Sequence, residues 1–337
     1  MAKVQNRQVN GQANYKRAAP IFNSEDHKMH MLIASLDYKR TGSALTSTTD
    51  AKSIEEIARQ CSVDSLVCLY DEECNKSALL HAIQETGSKC GPNDFFIFYY
   101  AGNGSGQDEE GAEQAFQLVD QKTRKATQEA VLTSGELCGS VLSSCRPETR
   151  ILIVTDLCFP RTIVDLDRED CSGRQVVAIA GSQDAQGIDD TSRCGIFTHS
   201  LLLAMDKLSK VGRDNYSVGM LFNATLYENE NIFSGKQDIS IQTSVDFTPD
   251  LMAWPLIPPV GYQAPLSRCA GPGGILRNAP NMGISPNMLP HVTQEALNVP
   301  VSIEEYVSHI QGQGGAFFKP CRGCAAAGGV PASCVAQ

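Results

Sequence analysis

Basic residues are outnumbered in this 337-residue chain, which has 28 Lys and Arg against 38 Asp and Glu. The resulting net charge of -10 argues against non-specific binding of nucleic acid, because such binding needs a basic surface. Long apolar runs are also missing, and none approaches the ~20 residues that a transmembrane helix requires. The first twenty residues are polar and lack the apolar core of a secretory signal, so we expect neither export nor membrane insertion.

The pattern of a disulfide framework is missing as well, although cysteine itself is abundant. The chain has 13 cysteines, an odd number, spread through apolar and polar segments alike. A secreted disulfide-rich domain usually has an even and denser set. We therefore expect reduced thiols and a cytoplasmic location, in the cytosol or on the cytoskeleton.

Short continuous apolar runs alternate with segments of helical spacing over most of the chain. Six strands are predicted, at residues 30–36, 65–70, 94–100, 150–155, 176–180 and 238–245. Strands that alternate with helices predict parallel β-α-β units, and hence an α/β fold: a three-layer α-β-α sandwich around a mainly parallel six-stranded sheet. In such sheets the functional groups lie at the carboxyl ends of the strands.

The composition divides the chain into three parts. Residues 1–28 are predicted to be an extended N-terminal arm, residues 29–256 the α/β domain, and residues 257–337 an extended tail rich in Pro and Gly. The tail contains one short predicted helix at 302–311. It ends in a cluster of Cys321, Cys324 and Cys334, for which free thiols and a metal site are both open.

Four motifs, in order along residues 29–256, resemble the metacaspases, a branch of the caspase-like cysteine peptidases. FFIFYYAGNGSGQ is similar to the family segment F-x-Y-S-G-H-G-S-Q, and ILIVTDLC is similar to I-x-D-C-C-H-S-G. VVAIAGSQDAQGIDDTSRCGIF resembles the start of the small-subunit region, and SGKQDISIQTSVDF the strand that closes it. The resemblance implies a large-subunit-like region at 29–165 and a small-subunit-like region at 175–256.

The chemistry implied by this resemblance is a Cys–His dyad, and the histidine is absent. Cys158 stands at the nucleophile position, whereas Asn103 stands at the position of the histidine. Asparagine cannot take the thiol proton or return it to the leaving amine. Phe159, Pro160 and Arg161 replace the His-Ser-Gly that follows the nucleophile, and Pro160 removes a backbone N–H from the oxyanion turn. We therefore expect peptidase activity to be lost.

No other histidine is predicted at a carboxyl strand end. His81 and His199 lie in predicted helices, and we expect His199 to be an ordinary packed histidine of the helix that spans 197–210.

The resemblance also implies a pocket that holds the Arg or Lys side chain before the cleaved bond. Asp50 and Asp156 match its two acidic groups, while Ser47 replaces the usual cysteine and Ala101 the usual serine. The pocket could still bind a cation. Alternatively, the two carboxylates are structural, one at a helix N-terminus and one at a strand end.

We expect no cofactor to be required. The resemblance leaves calcium possible, because metacaspases are often switched by calcium. Asp165, in the acidic connector at 165–170, is the candidate ligand by resemblance. Alternatively, the connector is a solvent-exposed acidic loop that binds no metal.

Three functions remain open from the sequence. The first is a pseudo-peptidase that binds other proteins, as a component of a large intracellular or cytoskeletal assembly docked through its two arms. The second is an active cysteine endopeptidase that cleaves after Arg or Lys with Cys158 as its nucleophile. The third is a module that binds basic peptides without cleaving them.

Overall fold

The computed structural model describes residues 27–39, 45–105, 114–158, 164–182, 195–210, 215–233 and 238–264. Within them, the strands are β1 (Met29–Ser35), β2 (Ser65–Tyr70), β3 (Phe95–Ser105), β4 (Ala115–Val119), β5 (Ala126–Thr133), β6 (Arg150–Cys158), β7 (Gln175–Ser182) and β8 (Asp238–Thr243). The α-helices are α1 (Ser47–Gln60), α2 (Lys76–Ser88), α3 (Ser134–Ser144), α4 (Ile196–Lys210) and α5 (Val218–Phe233).

The main sheet has the strand order β2-β1-β3-β6-β7-β8, and all its pairs are parallel except the last. The six strands predicted from the sequence are confirmed. The sheet is mixed rather than purely parallel, because β8 runs antiparallel to β7 at one edge.

Two hydrophobic cores cover the two faces of the sheet, which confirms the three-layer α/β architecture. The alternation is clearest in β3, where Phe95, Ile97 and Tyr99 lie in one core and Phe96 and Phe98 in the other. Helices α1, α4 and α5 pack on the first face, and α2 and α3 on the second. Both faces are apolar because the central strands of a doubly covered sheet are buried on each side.

An antiparallel hairpin, β4–β5, was not predicted and extends the sheet to eight strands. It joins the end of β3, where Gly104 pairs with Phe116 and Ser105 with Ala115. This pairing continues β3 beyond the predicted end at residue 100, so Asn103 lies inside a strand and not in a loop.

The N-terminus of α3 has a capping box. The Thr133 hydroxyl accepts a hydrogen bond from the Glu136 N–H (3.2 Å), and the Glu136 carboxylate accepts one from the Thr133 N–H (3.0 Å). These bonds satisfy two backbone groups that a helix start leaves free, and they fix the chain direction between β5 and α3.

Most of the two predicted arms, at residues 1–26 and 265–337, lies outside the described residues, as do the short predicted helix and the terminal cysteine cluster. The described start of the predicted tail packs on the domain: Tyr262 and Ala264 are buried in the core on the face of the sheet that α1, α4 and α5 cover. Among the described residues, no helix combines the length and the hydropathy needed to cross a membrane.

Candidate functional site

Asn103 and Cys158 are direct neighbours across the sheet. Strands β3 and β6 pair in parallel register from Phe95 with Arg150 up to Asn103 with Cys158, which is the last pair of the ladder. The two positions that the sequence singled out therefore meet at the carboxyl edge of the sheet. Phe159, Pro160 and Arg161 lie outside the described residues.

Two tyrosine hydroxyls hold the backbone of Asn103. Its N–H donates to the Tyr38 hydroxyl (2.9 Å), and its carbonyl accepts from the Tyr100 hydroxyl (3.0 Å). The two hydroxyls lie 3.2 Å apart, and the Gln117 carbonyl on β4 lies within hydrogen-bond distance of both, so the single Tyr100 proton is shared between the Asn103 and Gln117 carbonyls. Because Tyr38 and Tyr100 are buried, this arrangement fixes the end of β3 against the hairpin.

Asp156, two residues before Cys158, is fully buried and engaged by α4. Its Oδ2 accepts a hydrogen bond from the Thr198 N–H (3.1 Å) and another from the Thr198 hydroxyl (2.6 Å). The Tyr99 hydroxyl completes the chain by donating to the Thr198 hydroxyl at 2.7 Å. A buried carboxylate needs such donors, because burial without partners is costly.

Asp50, on the first turn of α1, is buried against α4. Its Oδ1 lies 3.3 Å from the His199 Nε2, so the packed histidine of α4 contacts a residue of the implied pocket, which the sequence did not predict. Gly195, at a φ of +109°, also lies over this carboxyl group, and a Cβ there would come within 2.8 Å of Oδ2. The close approach requires a residue without a side chain.

The protonation of this pair follows from its burial. Burial, and then the neighbouring carboxylates of Asp156 and Asp37, raise the pKa of Asp50 well above its ordinary value. Burial lowers the pKa of His199 to about 4. A carboxylate 3.3 Å away would favour imidazolium, whereas burial disfavours the charged form of both groups. Both shifts therefore favour the neutral pair over an ion pair.

Ser47 and Ala101, the altered positions of the implied pocket, are both buried. The Ser47 hydroxyl has no hydrogen-bond partner in the described structure. The next residue, Thr48, is bound by Asp37 at the end of β1, whose carboxylate accepts from the Thr48 N–H (2.7 Å) and hydroxyl (2.6 Å). Asp37 thus anchors the first turn of α1 over the sheet.

Asp165, the calcium candidate, is exposed just after the gap that follows β6. Its Oδ1 accepts a hydrogen bond from the Asp167 N–H (3.1 Å), while Arg168 forms an ion pair with Asp170 (2.8 Å). Among the described residues, no three His, Cys, Asp or Glu side chains lie together as a metal site would require. Calcium binding at Asp165 therefore stays a prediction.

Sequence reasoning missed Tyr38, Thr198 and the true position of His199. The nearness of Thr198 and His199 to the site was predictable, because both open the helix that follows β7 and such helix starts lie at the carboxyl edge of the sheet, but the contact of His199 with Asp50 was not. Tyr38 was harder to predict, because its only sequence signal is its position shortly after β1.

Among solved structures, the chain is similar to protein GSU0716 from Geobacter sulfurreducens, with a TM-score of 0.50, 19% identity, and coverage of 67% of this chain and 97% of that chain. It is also similar to a structure described as pro-sf-caspase-1, with a TM-score of 0.43, 13% identity, and coverage of 71% and 94%. The likeness to GSU0716 concerns the fold alone. No protein family model and no curated protein sequence matches the chain.

Proposed function

We propose that this chain is a caspase-type peptidase homologue that does not hydrolyse peptide bonds and that acts by binding other proteins in an intracellular assembly. One observation carries the proposal: Asn103, which cannot transfer a proton, is the register partner of Cys158. A positioned acid–base group contributes ~10²–10⁴-fold to such a reaction, and none is available from asparagine.

The burial and the contacts of the two acidic groups, Asp50 and Asp156, argue against binding of basic side chains. Asp156 is 0% exposed and its Oδ2 is already occupied by Thr198. Asp50 faces the His199 imidazole, and burial raises its pKa, which disfavours the negative charge that an Arg or Lys side chain would need. Because contacts from α4 engage both carboxyl groups, binding of basic peptides is the weaker hypothesis.

His199 does not take the place of the missing general base of an active peptidase. Its Nε2 faces Asp50, and burial lowers its pKa to about 4. An imidazole of that kind is a poor proton acceptor at neutral pH, where an efficient general base has a pKa near 7.

Cytoplasmic location and docking through the terminal segments belong to the same proposal, and both rest on the composition of the sequence.

The test is capture of partners from cell extract by the full chain, by Cys158→Ala, and by chains that lack residues 1–26 or 265–337. The proposal predicts that wild type and Cys158→Ala retain the same partners, intact and in equal amount, and that removal of a terminal segment releases them. Partners recovered as fragments with wild type but intact with Cys158→Ala would show a peptidase. Partners retained equally by all four chains would contradict docking through the terminal segments.

A further inference from the structure

A cavity of about 440 Å³ lies at the carboxyl ends of β1 and β2, beside the turn of the β4–β5 hairpin. Its volume falls in the range of ~300–1,000 Å³ that is typical of small-molecule sites. It differs from the candidate peptidase site, which lies at the ends of β3 and β6, although both occupy the edge of the sheet where α/β proteins bind ligands.

The walls of this cavity contain strained backbone. Three of its lining residues, Tyr38, Asp71 and Arg124, have φ values of 54°, 45° and 55°. Residues other than glycine seldom adopt this left-handed conformation, which costs ~1–3 kcal/mol and clusters at ligand clamps. The surroundings hold each residue in place: for example, the Asp37 N–H donates to the Asp71 Oδ1 (2.7 Å), and the Arg124 N–H donates to the Asp120 carbonyl (2.8 Å).

The charges around the cavity are balanced, but not all are paired. Lys39 contacts Asp71 (3.1 Å), and Arg124 contacts Glu72 (3.2 Å). Glu73 and Lys125 also line the cavity; both are solvent-exposed, and neither forms an ion pair with the described residues. An acidic and a basic residue that line one cavity without an ion-pair partner match a ligand that carries both charges.

We propose that this cavity binds a small zwitterion, an amino acid or short peptide with free termini, whose ammonium group pairs with Glu73 and whose carboxylate pairs with Lys125. A purely anionic ligand would leave Glu73 opposed by like charge, and a purely cationic ligand would do the same at Lys125. The site goes beyond the proposed function, since neither Asn103 nor Cys158 lines it.

Tyr38 connects the cavity to Asn103. Its side chain lines the cavity, while its hydroxyl accepts the hydrogen bond from the Asn103 N–H at 2.9 Å. A ligand that moves Tyr38 therefore changes the environment of that amide, which provides a local reporter for NMR.

The test is titration calorimetry of the full chain with phenylalanine and with alanyl-phenylalanine in three forms: with free termini, N-acetylated, and as its C-terminal amide. The free dipeptide or the amino acid is expected to bind, and the stronger of the two identifies the source of the zwitterion. Each blocked form should bind about tenfold more weakly or worse, since each loses one charge-assisted hydrogen bond. Glu73→Gln and Lys125→Gln should each weaken the free form to a similar extent.

Two matched variants serve as controls. Lys122→Gln changes a lysine of the same hairpin turn, and Glu129→Gln an exposed acid of β5, and neither residue lines the cavity. Both should bind as the wild type does, and the Asn103 amide should shift on titration in each. No binding of either zwitterion up to about 10 mM, equal binding of the blocked forms, or equal weakening by the control variants would overturn the proposal.

Discussion

The His199 Nε2 lies 3.3 Å from the Asp50 Oδ1, and this contact joins the first turn of α4 to the first turn of α1. The side chains are only 12% and 6% exposed, so neither group is well solvated. Where the sequence predicted an acidic pocket lined by Asp50 and Asp156, a helix therefore covers both carboxyl groups. Their titration gives this arrangement a measurable signature.

The pair should give two opposite pH dependences of stability. Burial lowers the pKa of His199 from 6.5 to about 4, so the unfolded chain binds a proton in this range that the folded chain does not, and acidification destabilises. The pKa of Asp50 is raised above 3.8, so the folded chain keeps a proton that the unfolded chain releases, and a rising pH destabilises. Between pH 4 and 6.5 the two effects oppose each other.

In Asp50→Asn only the effect of His199 should remain. On acidification its free energy of unfolding should therefore fall more steeply than that of the wild type, by up to about 3 kcal/mol. His199→Gln should instead lose stability relative to the wild type as the pH rises. Urea unfolding across this pH range measures both slopes. His81→Gln, which changes an exposed histidine of α2, is the control. Parallel pH profiles for all four proteins would mean that the contact does not govern these groups.

The hydrogen bonds of Thr198 to Asp156 should stabilise the fold. Thr198→Val keeps the shape of the side chain but removes the hydroxyl that binds Asp156 at 2.6 Å and Tyr99 at 2.7 Å. We expect a loss of about 1–3 kcal/mol in the free energy of unfolding, because buried polar groups lose their partner. Thr198→Ser retains the hydroxyl and should lose much less. Equal stability of the two variants in urea unfolding would show that the hydroxyl is unimportant.

The close packing of α4 on β7 gives a prediction at Gly181. A Cβ at this position would come within 2.2 Å of the Phe197 Cβ, a distance that no real contact allows. Gly181→Ala should therefore destabilise the protein by about 2–3 kcal/mol or more. Gly139→Ala, in α3, meets no atom within 4 Å and should stabilise by about 0.5–1 kcal/mol. Thermal unfolding of the two variants measures the contrast, and a shift in the same direction for both would contradict this packing.

The sequence predicted the six main strands because each is a local pattern, either a continuous apolar run or an alternation. It did not predict the β4–β5 hairpin, whose strands interleave apolar residues with Gln117, Thr127 and Glu129. Strands of this kind are stabilised by cross-strand pairing, which depends on the partner and not on local composition. For the same reason β3 and β6 run past their predicted ends, to Ser105 and Cys158.

The candidate site was predictable where it depends on strand position. Asn103 and Cys158 could be placed together because parallel strands end at one edge of a sheet. The contact of His199 with Asp50 was not predictable, because it depends on how α4 packs over α1, and nothing local in either helix fixes that arrangement. A lone histidine on an apolar helix carries no signal of a distant partner.

Reintroduction of the missing histidine should restore little activity. Asn103→His places a titratable group beside Cys158, but Pro160 still lacks the backbone N–H, and Asp50 and Asp156 stay engaged by α4. We expect peptide turnover by Asn103→His to remain at background, measured with fluorogenic peptides that end in Arg or Lys. Efficient turnover by this single variant would mean that the rest of the site is intact.

The central claim is that Cys158 turns over no peptide because Asn103, its register partner, cannot transfer a proton. The direct measurement is the hydrolysis rate of a panel of Arg- and Lys-ended fluorogenic peptides by the wild type and by Cys158→Ala, with and without calcium. Labelling with iodoacetamide, read by mass spectrometry at Cys158, shows in parallel that the thiol is present and reactive. The account predicts a labelled Cys158 and the same background rate for both proteins. Turnover by the wild type that disappears in Cys158→Ala would contradict it and establish an active peptidase.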